Sequence, residues 1–422
     1  MQRLKNNPYL LFLPFLILFL AIVLKMNNDA LEGDEGRYLT FAENLLNGFY
    51  SPPPPDINLW NGPGYPIILI PFVAFHLPLI TITLLNAVFY YFSVVLLFKA
   101  MRSFVSYNKA LAFSIFWGLY YTAYIQLPEI YTEPLVYFLI SLLILCTTKA
   151  YHHLETRFVW YAGLVLGYIV LTKIIFGYVV LVMLAGAIVL YLIKTSSVNY
   201  KKSVLILATA FITFSPWLVY TYSVTGKPLY FGNSGGVLLY WMSTPYDSET
   251  GDWKESDLTT SYRAGAHVPD NANRLLKEHH YSSHQEILKH QGVERDEAYK
   301  KAAIANIKAH PVKYFKNWLA NIGRLLYDFP NSYVFQTPLQ LFKLPTNSIT
   351  VLLSLTCLIP TLIYWRKIPF GIRFLLILTL VYLGPSTLLS AYSRFFNIIV
   401  PILLFWIVYI IQKTIFINRI AK

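Results

Sequence analysis

The apolar residues of this chain fall in long, nearly uninterrupted runs, and that feature decides the fold class before any motif is considered. A run of about 20 residues crosses the hydrocarbon core as a helix, because a helix satisfies its own backbone hydrogen bonds where no water is available. Composition agrees. Of 422 residues, 56% are hydrophobic and 13% are charged, whereas a soluble domain carries about a quarter charged residues. The reading is an all-α polytopic membrane protein with about ten transmembrane helices. They are expected at 8–25, 79–101, 110–127, 134–150, 158–174, 176–194, 203–221, 346–364, 370–389 and 395–414. The first run follows Met-Gln-Arg-Leu-Lys. It is long, lacks a small-residue cleavage site and is followed by further spans, so it reads as a retained helix and not a secretory signal. Cys146 and Cys357 both lie in apolar runs, with no disulfide framework and no zinc spacing.

Basic residues set the orientation. With the N-terminus inside, the inner segments hold Arg3, Lys5, Lys99, Arg102, Lys109, Lys149, Arg157, Lys194, Lys201, Lys202, Arg366, Lys367, Arg373, Lys413, Arg419 and Lys422, against the single acid Glu155. The short outer segments hold Arg37, Lys173 and Arg394 against Asp29, Glu32, Asp34, Glu35, Glu43, Asp56, Glu129 and Glu133. The net charge of +13 therefore belongs to topology, and no nucleic-acid partner is implied. The assignment places both termini in the cytoplasm. It requires the apolar run 64–78, bounded by Pro66 and Pro78, to lie in the outer interface, since it is too short to span comfortably.

Three parts follow: 1–221, a transmembrane module with a first outer loop at 26–78; 222–345, a large outer segment; and 346–422, the C-terminal transmembrane helices. The first loop is expected to hold a helix at 34–47 ended by Gly48, then a stiff polyproline strut at Pro52–Pro55. In the late segment, Ser283 and Glu286 are spaced as a capping box. From Glu294 to about Leu326 the pattern is an amphipathic hairpin broken at Pro311.

Chemistry concentrates outside. In Glu32-Gly-Asp-Glu-Gly-Arg-Tyr38, Asp34 and Arg37 are three apart and Asp34 and Tyr38 four apart, so one helical face can present an acid and a cation together. The same acids also suit a solvated loop. Glu133 opens a helix in Thr132-Glu133-Pro134, where it either complements the helix dipole or serves a site with Glu129. Arg394, in Ala-Tyr-Ser-Arg-Phe-Phe, is either an interfacial anchor or a phosphate clamp, and Lys173 has the same two readings. The histidines have no ligand spacing, and a metal site is not indicated.

Taken in order, these stretches resemble the GT-C superfamily of membrane glycosyltransferases, and more narrowly glycosyltransferase family 39 with its aminoarabinose transferases and protein O-mannosyltransferases. Asp34-Glu35-Gly-Arg-Tyr38 is similar to that family's first-loop acidic motif, and Asn61-Gly-Pro-Gly-Tyr65-Pro66 to the Pro-rich segment leading into a juxtamembrane helix. Leu127–Pro134 resembles the outer turn before the fourth span. Ser215-Pro-Trp217, Gly235–Tyr240 and Ala303–Tyr314 resemble parts of the late loop, and Ser393–Pro401 the motif opening the last helix. The resemblance covers most of the chain. Trp60-Asn61-Gly62 stands where family members often carry a charged residue, and the chain is expected to be short for the group, without a large added C-terminal domain.

The resemblance implies a GT-C-like bundle that moves a monosaccharide from a polyprenyl-phosphate carrier to an acceptor hydroxyl outside the membrane. The acceptor is a lipid, glycan or protein, and a bacterial inner membrane is the expected location. It implies Asp34 as catalytic base, with Glu35 as a supporting or acceptor-binding acid. Arg37 and Arg394 fall to the carrier phosphate. Tyr38, Tyr65, Glu133 and Lys173 fall to substrate binding or orientation. Direct attack inverts the anomeric centre, and no cofactor or divalent metal is expected. Two other readings stand beside it: a lipid-linked sugar transporter or flippase, and a ligase or polymerase using a diphosphate-linked oligosaccharide. Transporters keep ionisable groups near the midplane and often show repeated halves. Here the spans are nearly free of charge, which favours the enzyme.

Overall fold

The computed structural model describes residues 7–27, 30–31, 33–193, 197–254, 258, 271–334 and 341–414, and among them there is no strand. Six helices are long and apolar enough to cross a membrane: Leu79–Met101, Glu133–Tyr151, Ile175–Ile193, Val198–Thr225, Leu344–Ile363 and Phe370–Leu388. Leu13–Met26, Arg157–Thr172 and Val400–Thr414 are apolar and shorter. The chain is an all-helical integral membrane protein. Ile17, Leu24, Val182, Ile212, Val219 and Leu362 stand at least 60% exposed on these helices. Hydrocarbon solvates such side chains and water does not. Inside the bundle, Trp117 donates from Nε1 to Ser93 Oγ at 2.9 Å, and Ser93 pairs with Ser141 at 2.8 Å.

Local chemistry explains most of the boundaries. Leu79–Met101 follows Pro78, whose extended backbone (ψ 142°) separates it from the preceding helix. Val198–Thr225 stops at Gly226, which takes φ +67° and bonds its N–H to Tyr222 O. Gly64–Ala74 has 11 residues, about 16 Å, too short to span, as its reading as an interfacial helix requires.

Five sequence expectations need correction. The first run is two helices, Pro8–Leu11 and Leu13–Met26, hinged at Phe12, because Pro14 has no N–H to continue the ladder. The run 110–127 is not one span: Tyr107–Gly118 is followed by a separate turn of helix, Tyr121–Tyr124, and then by hydrogen-bonded turns. The last helix is interrupted between Ser393–Asn397 and Val400–Thr414, close to Pro401. Pro52–Pro55 is not an extended strut, since Asp56 N–H bonds back to Pro53 O at 3.1 Å and closes a turn. Ser283 caps nothing. It lies inside Ala272–Leu288, with its hydroxyl on Tyr240 OH at 2.9 Å. Of the residues used for orientation, Arg3, Lys5, Asp29, Glu32, Lys194, Arg419 and Lys422 lie outside the described residues.

The late segment has its own small core around Tyr240, Trp241, Leu276, Ile287 and Tyr299. The expected hairpin is there, as Gly292–Ala309 and Pro311–Tyr327 broken at His310. Buried Glu249 pins this segment. It accepts from His279 and His280 at 2.8 Å each, from Thr244 at 2.5 Å and from Tyr333 at 3.0 Å. Burial pushes its pKa up, but His280, Thr244 and His279 outweigh burial and bring it down to about 2.

Candidate active site

Asp34 stands immediately before the helix Glu35–Leu46, in the position that normally caps a helix, yet its side chain caps nothing. Its carboxylate goes to two arginines instead. Arg37, one turn on, donates to Oδ1 at 2.8 Å, and Arg394, 360 residues away in sequence, donates to Oδ2 at 3.1 Å. The shared face expected for Asp34 and Arg37 is present. Arg394 lies on Ser393–Asn397, where the interruption of the last helix lets the chain turn its side chain toward the first outer loop.

Behind this pair sits a second one. Glu133, the first residue of Glu133–Tyr151, is wholly buried. Lys173 donates to its Oε1 at 2.8 Å, and Arg394 Nε approaches the same oxygen at 3.7 Å. Arg394 therefore bridges both acids. A buried carboxylate is tolerated only when paired in this way. Asp34, Arg37, Glu133, Lys173 and Arg394, which are scattered through the sequence, meet in one alternating cluster. Burial raises the pKa of Asp34, and the positive charges of Arg394, Arg37 and Lys173 outweigh it, holding the carboxyl below its ordinary value.

The approach of the first loop depends on two glycines. A Cβ at Gly62 would lie 2.1 Å from Leu171 O, and one at Gly64 would lie 2.7 Å from Thr172 N. Absence of side chains there lets the loop sit on the end of Arg157–Thr172, and Lys173 is the next residue. This is the physical content of the Asn61-Gly-Pro-Gly run.

Aromatic rings wall the cluster. Arg37 lies 4.4 Å from the Trp60 ring centre, Arg394 4.9 Å from Tyr131 and Lys173 5.4 Å from Phe395. Asn61 joins two site residues, accepting from Arg37 at 3.3 Å and donating to Tyr38 OH at 3.2 Å. Burial, with the nearby Asp34 and Glu133 charges, raises the Tyr38 pKa well above the usual range, so it remains a phenol. Tyr65 is buried with its ring edge-on to Tyr38 at 5.2 Å. Glu35 is also buried, and its Oε1 accepts from Ile130 N at 2.7 Å. It fixes the turn that carries Tyr131 and leads into Glu133.

Trp60 and Asn61 were not recognisable as site residues from sequence. Both are uncharged, and the sequence marks them only by adjacency to the Gly-Pro-Gly run and by standing where related proteins often carry a charged residue. Among the described residues, no group of three His, Cys, Asp or Glu side chains could hold a metal. The arrangement offers an anionic acid held by cations, three cations beside it, and aromatic surfaces.

No family model matches the sequence, and no curated protein matches it significantly. Among solved structures, the chain is similar to the crystal structure of ArnT from Cupriavidus metallidurans bound to undecaprenyl phosphate. The identity is 12%, the match covers 94% of this chain and 77% of that one, and the TM-score is 0.40.

Proposed function

We propose that the chain is a glycosyltransferase that moves a monosaccharide from a polyprenyl-phosphate carrier to an acceptor hydroxyl on the extracytoplasmic face, with inversion. The observation that carries this reading is the Asp34 carboxylate held between Arg37 and Arg394. At rest the acid serves as counter-ion to the two guanidiniums. The carrier phosphate is an anion of the same kind, and a forked guanidinium suits it. Its arrival competes for Arg37 and Arg394 and loosens their hold on Asp34. The freed carboxylate then takes the proton of the acceptor hydroxyl while that oxygen bonds to the anomeric carbon. The bond from that carbon to the phosphate oxygen breaks, and the carrier leaves as its phosphate anion. Arg37, Arg394 and Lys173 stabilise the charge that develops on it.

Glu133 holds Lys173 and Arg394 in register, and Tyr38 remains a hydrogen-bond donor beside Asn61. The leaving group carries one phosphate, whose charge three cations can meet, so the reaction proceeds without a divalent metal. The donor enters sideways from the bilayer. The basic-residue count favours a cytoplasmic N-terminus with the cluster outside, and a bacterial inner membrane is the location that goes with this reading. Concentration of charge at one end of the bundle, and not at its midplane, favours transfer over transport.

The test is transfer of labelled sugar from a panel of polyprenyl-phosphate monosaccharides by purified protein in lipid, with envelope extract as acceptor. Transfer that survives EDTA supports the reading. Absence of transfer with every donor, from folded protein, refutes it.

A further inference from the structure

A cavity of about 210 Å³ lies beside the charged cluster, between the first outer loop and the late hairpin. Asp56, Asn58 and Trp60 line it from the loop, and Gln291, Arg295 and Tyr299 from the start of Gly292–Ala309. Its frame is fixed. Asn233 accepts from Leu59 N and donates to Ile57 O, both at 2.9 Å. Gly292 takes φ +51°, and a Cβ there would lie 2.5 Å from Pro55 O, so the two walls meet with backbone almost touching. Asp296, on the cavity wall, is used up by Gly236 N at 2.6 Å and Tyr230 OH at 3.0 Å.

Among the described residues, Asp56 and Gln291, both exposed at the rim, spend no side-chain hydrogen bond on the protein, and Arg295 bonds only through Nε, to His290 O at 2.7 Å, so these groups face solvent and are free to meet an occupant. Trp60 and Tyr299 supply aromatic surface, and the rim supplies both donors and acceptors. Two carboxylates against one guanidinium disfavour an anion. A cavity this size is below the range of about 300–1,000 Å³ typical of drug-sized ligands. In size it matches one small ring. Trp60 also holds Arg37, which bonds Asp34, so an occupant sits directly behind the reacting cluster.

We propose that this cavity binds a single neutral, hydroxyl-rich ring, the sugar of a glycan acceptor. That assignment of the occupant rests on the transferase reading; the cavity's chemistry does not.

Saturation-transfer NMR on the full chain in nanodiscs tests it, with methyl α-glucopyranoside and N-acetylglucosamine as probes and inorganic phosphate as the anionic control. Wild type and Asp34→Asn should both transfer magnetisation to the sugar ring protons. Gln291→Trp, at an exposed position on the rim, should reduce it at least five-fold, and phosphate should not compete. If Gln291→Trp fails to fold, the pair Asp56→Ala and Gln291→Ala decides by the same loss. No sugar signal in wild type, an undiminished signal in the variants, or displacement by phosphate overturns the proposal. Sugar binding without any transfer keeps the cavity and sinks only the transferase reading. With transfer established, Gln291→Trp should raise the acceptor KM at least ten-fold and leave the donor KM unchanged. The reverse pattern would put the donor's sugar, not the acceptor's, in the cavity.

Discussion

Replacing Asp34 by Asn removes one charge and almost no volume, and the structure predicts two opposite effects of that change. A general base at Asp34, as proposed, would accelerate proton removal by about 10²–10⁴-fold, so kcat should fall by that factor, or about 3–5 kcal/mol at 1.36 kcal/mol per decade. As resting counter-ion, Asp34 competes with the carrier phosphate for Arg37 and Arg394. Two unit charges about 5 Å apart interact by about 3 kcal/mol at an effective dielectric near 20. The Asp34 side chain is 23% exposed, and discounting for solvent leaves about 1 kcal/mol. Polyprenyl phosphate should therefore bind Asp34→Asn about five-fold more tightly. The cluster should survive, because Arg37 retains Asn61 and Trp60 and Arg394 retains Glu133. Labelled-sugar transfer and equilibrium binding of polyprenyl phosphate, measured on the same nanodisc preparation, give both quantities. Transfer within ten-fold of wild type refutes the base assignment. Weaker phosphate binding refutes the idea that the acid and the carrier share the arginines.

Arg394→Ala should raise the donor KM by roughly 30-fold or more, since loss of one partner of a desolvated charge pair costs about 2–5 kcal/mol; an equal rise in the acceptor KM would make Arg394 structural. The same variant should move the acid limb of the pH–rate profile. In wild type the depressed pKa keeps Asp34 ionised until pH falls below its ordinary 3.8, and with Arg394 gone, burial pushes that limb upward. An unmoved limb would show that Asp34 is not the group titrating. Gly64→Ala should cost about 1–3 kcal/mol of stability and reduce transfer, because its Cβ lies 2.5 Å from Thr172 Oγ1. Wild-type activity in that variant would mean the contact yields without moving Lys173. Glu249→Gln should lower the unfolding midpoint seen by tryptophan fluorescence, at a cost of about 2–3 kcal/mol. That stabilisation is complete above the ordinary Glu range near 4.3 and is lost as pH falls toward about 2. A midpoint identical to wild type at pH 7 would remove the network from any stabilising role.

Much of the helical layout was legible because each long apolar run has one low-energy answer in a bilayer. The helix expected at 79–101 is found at Leu79–Met101, that at 370–389 ends one residue early at Leu388, and that at 134–150 is longer by one residue at each end, Glu133–Tyr151. The expectations failed where backbone chemistry, not hydropathy, set the outcome. Pro14 and Pro401 stand at breaks in runs that are mostly apolar, and the run from 110 to 127 is mostly apolar but ends its helix at Gly118. Asp34 and Arg37 were readable as neighbours because helical spacing is local. That Arg394 would reach the same carboxylate was not, since no periodicity links residues 360 apart. Trp60 and Asn61 stood out only as a departure from a pattern, and for a different reason were not read as site residues. Their contribution is a ring face and an amide, and neither carries a charge that a sequence reading could single out.

The distance along the chain between Asp34 and Arg394 also has a consequence in time. A ribosome adds about 5–20 residues per second, so Arg394 is made roughly 20–70 s after Asp34. During that interval the first loop carries its acid while its far arginine is not yet synthesised. A nascent chain in this condition can neither grip a carrier phosphate from both sides nor set the acid against it. The helix break that carries Arg394 thus completes the charged cluster last, and on the transferase reading an unfinished chain has no assembled site.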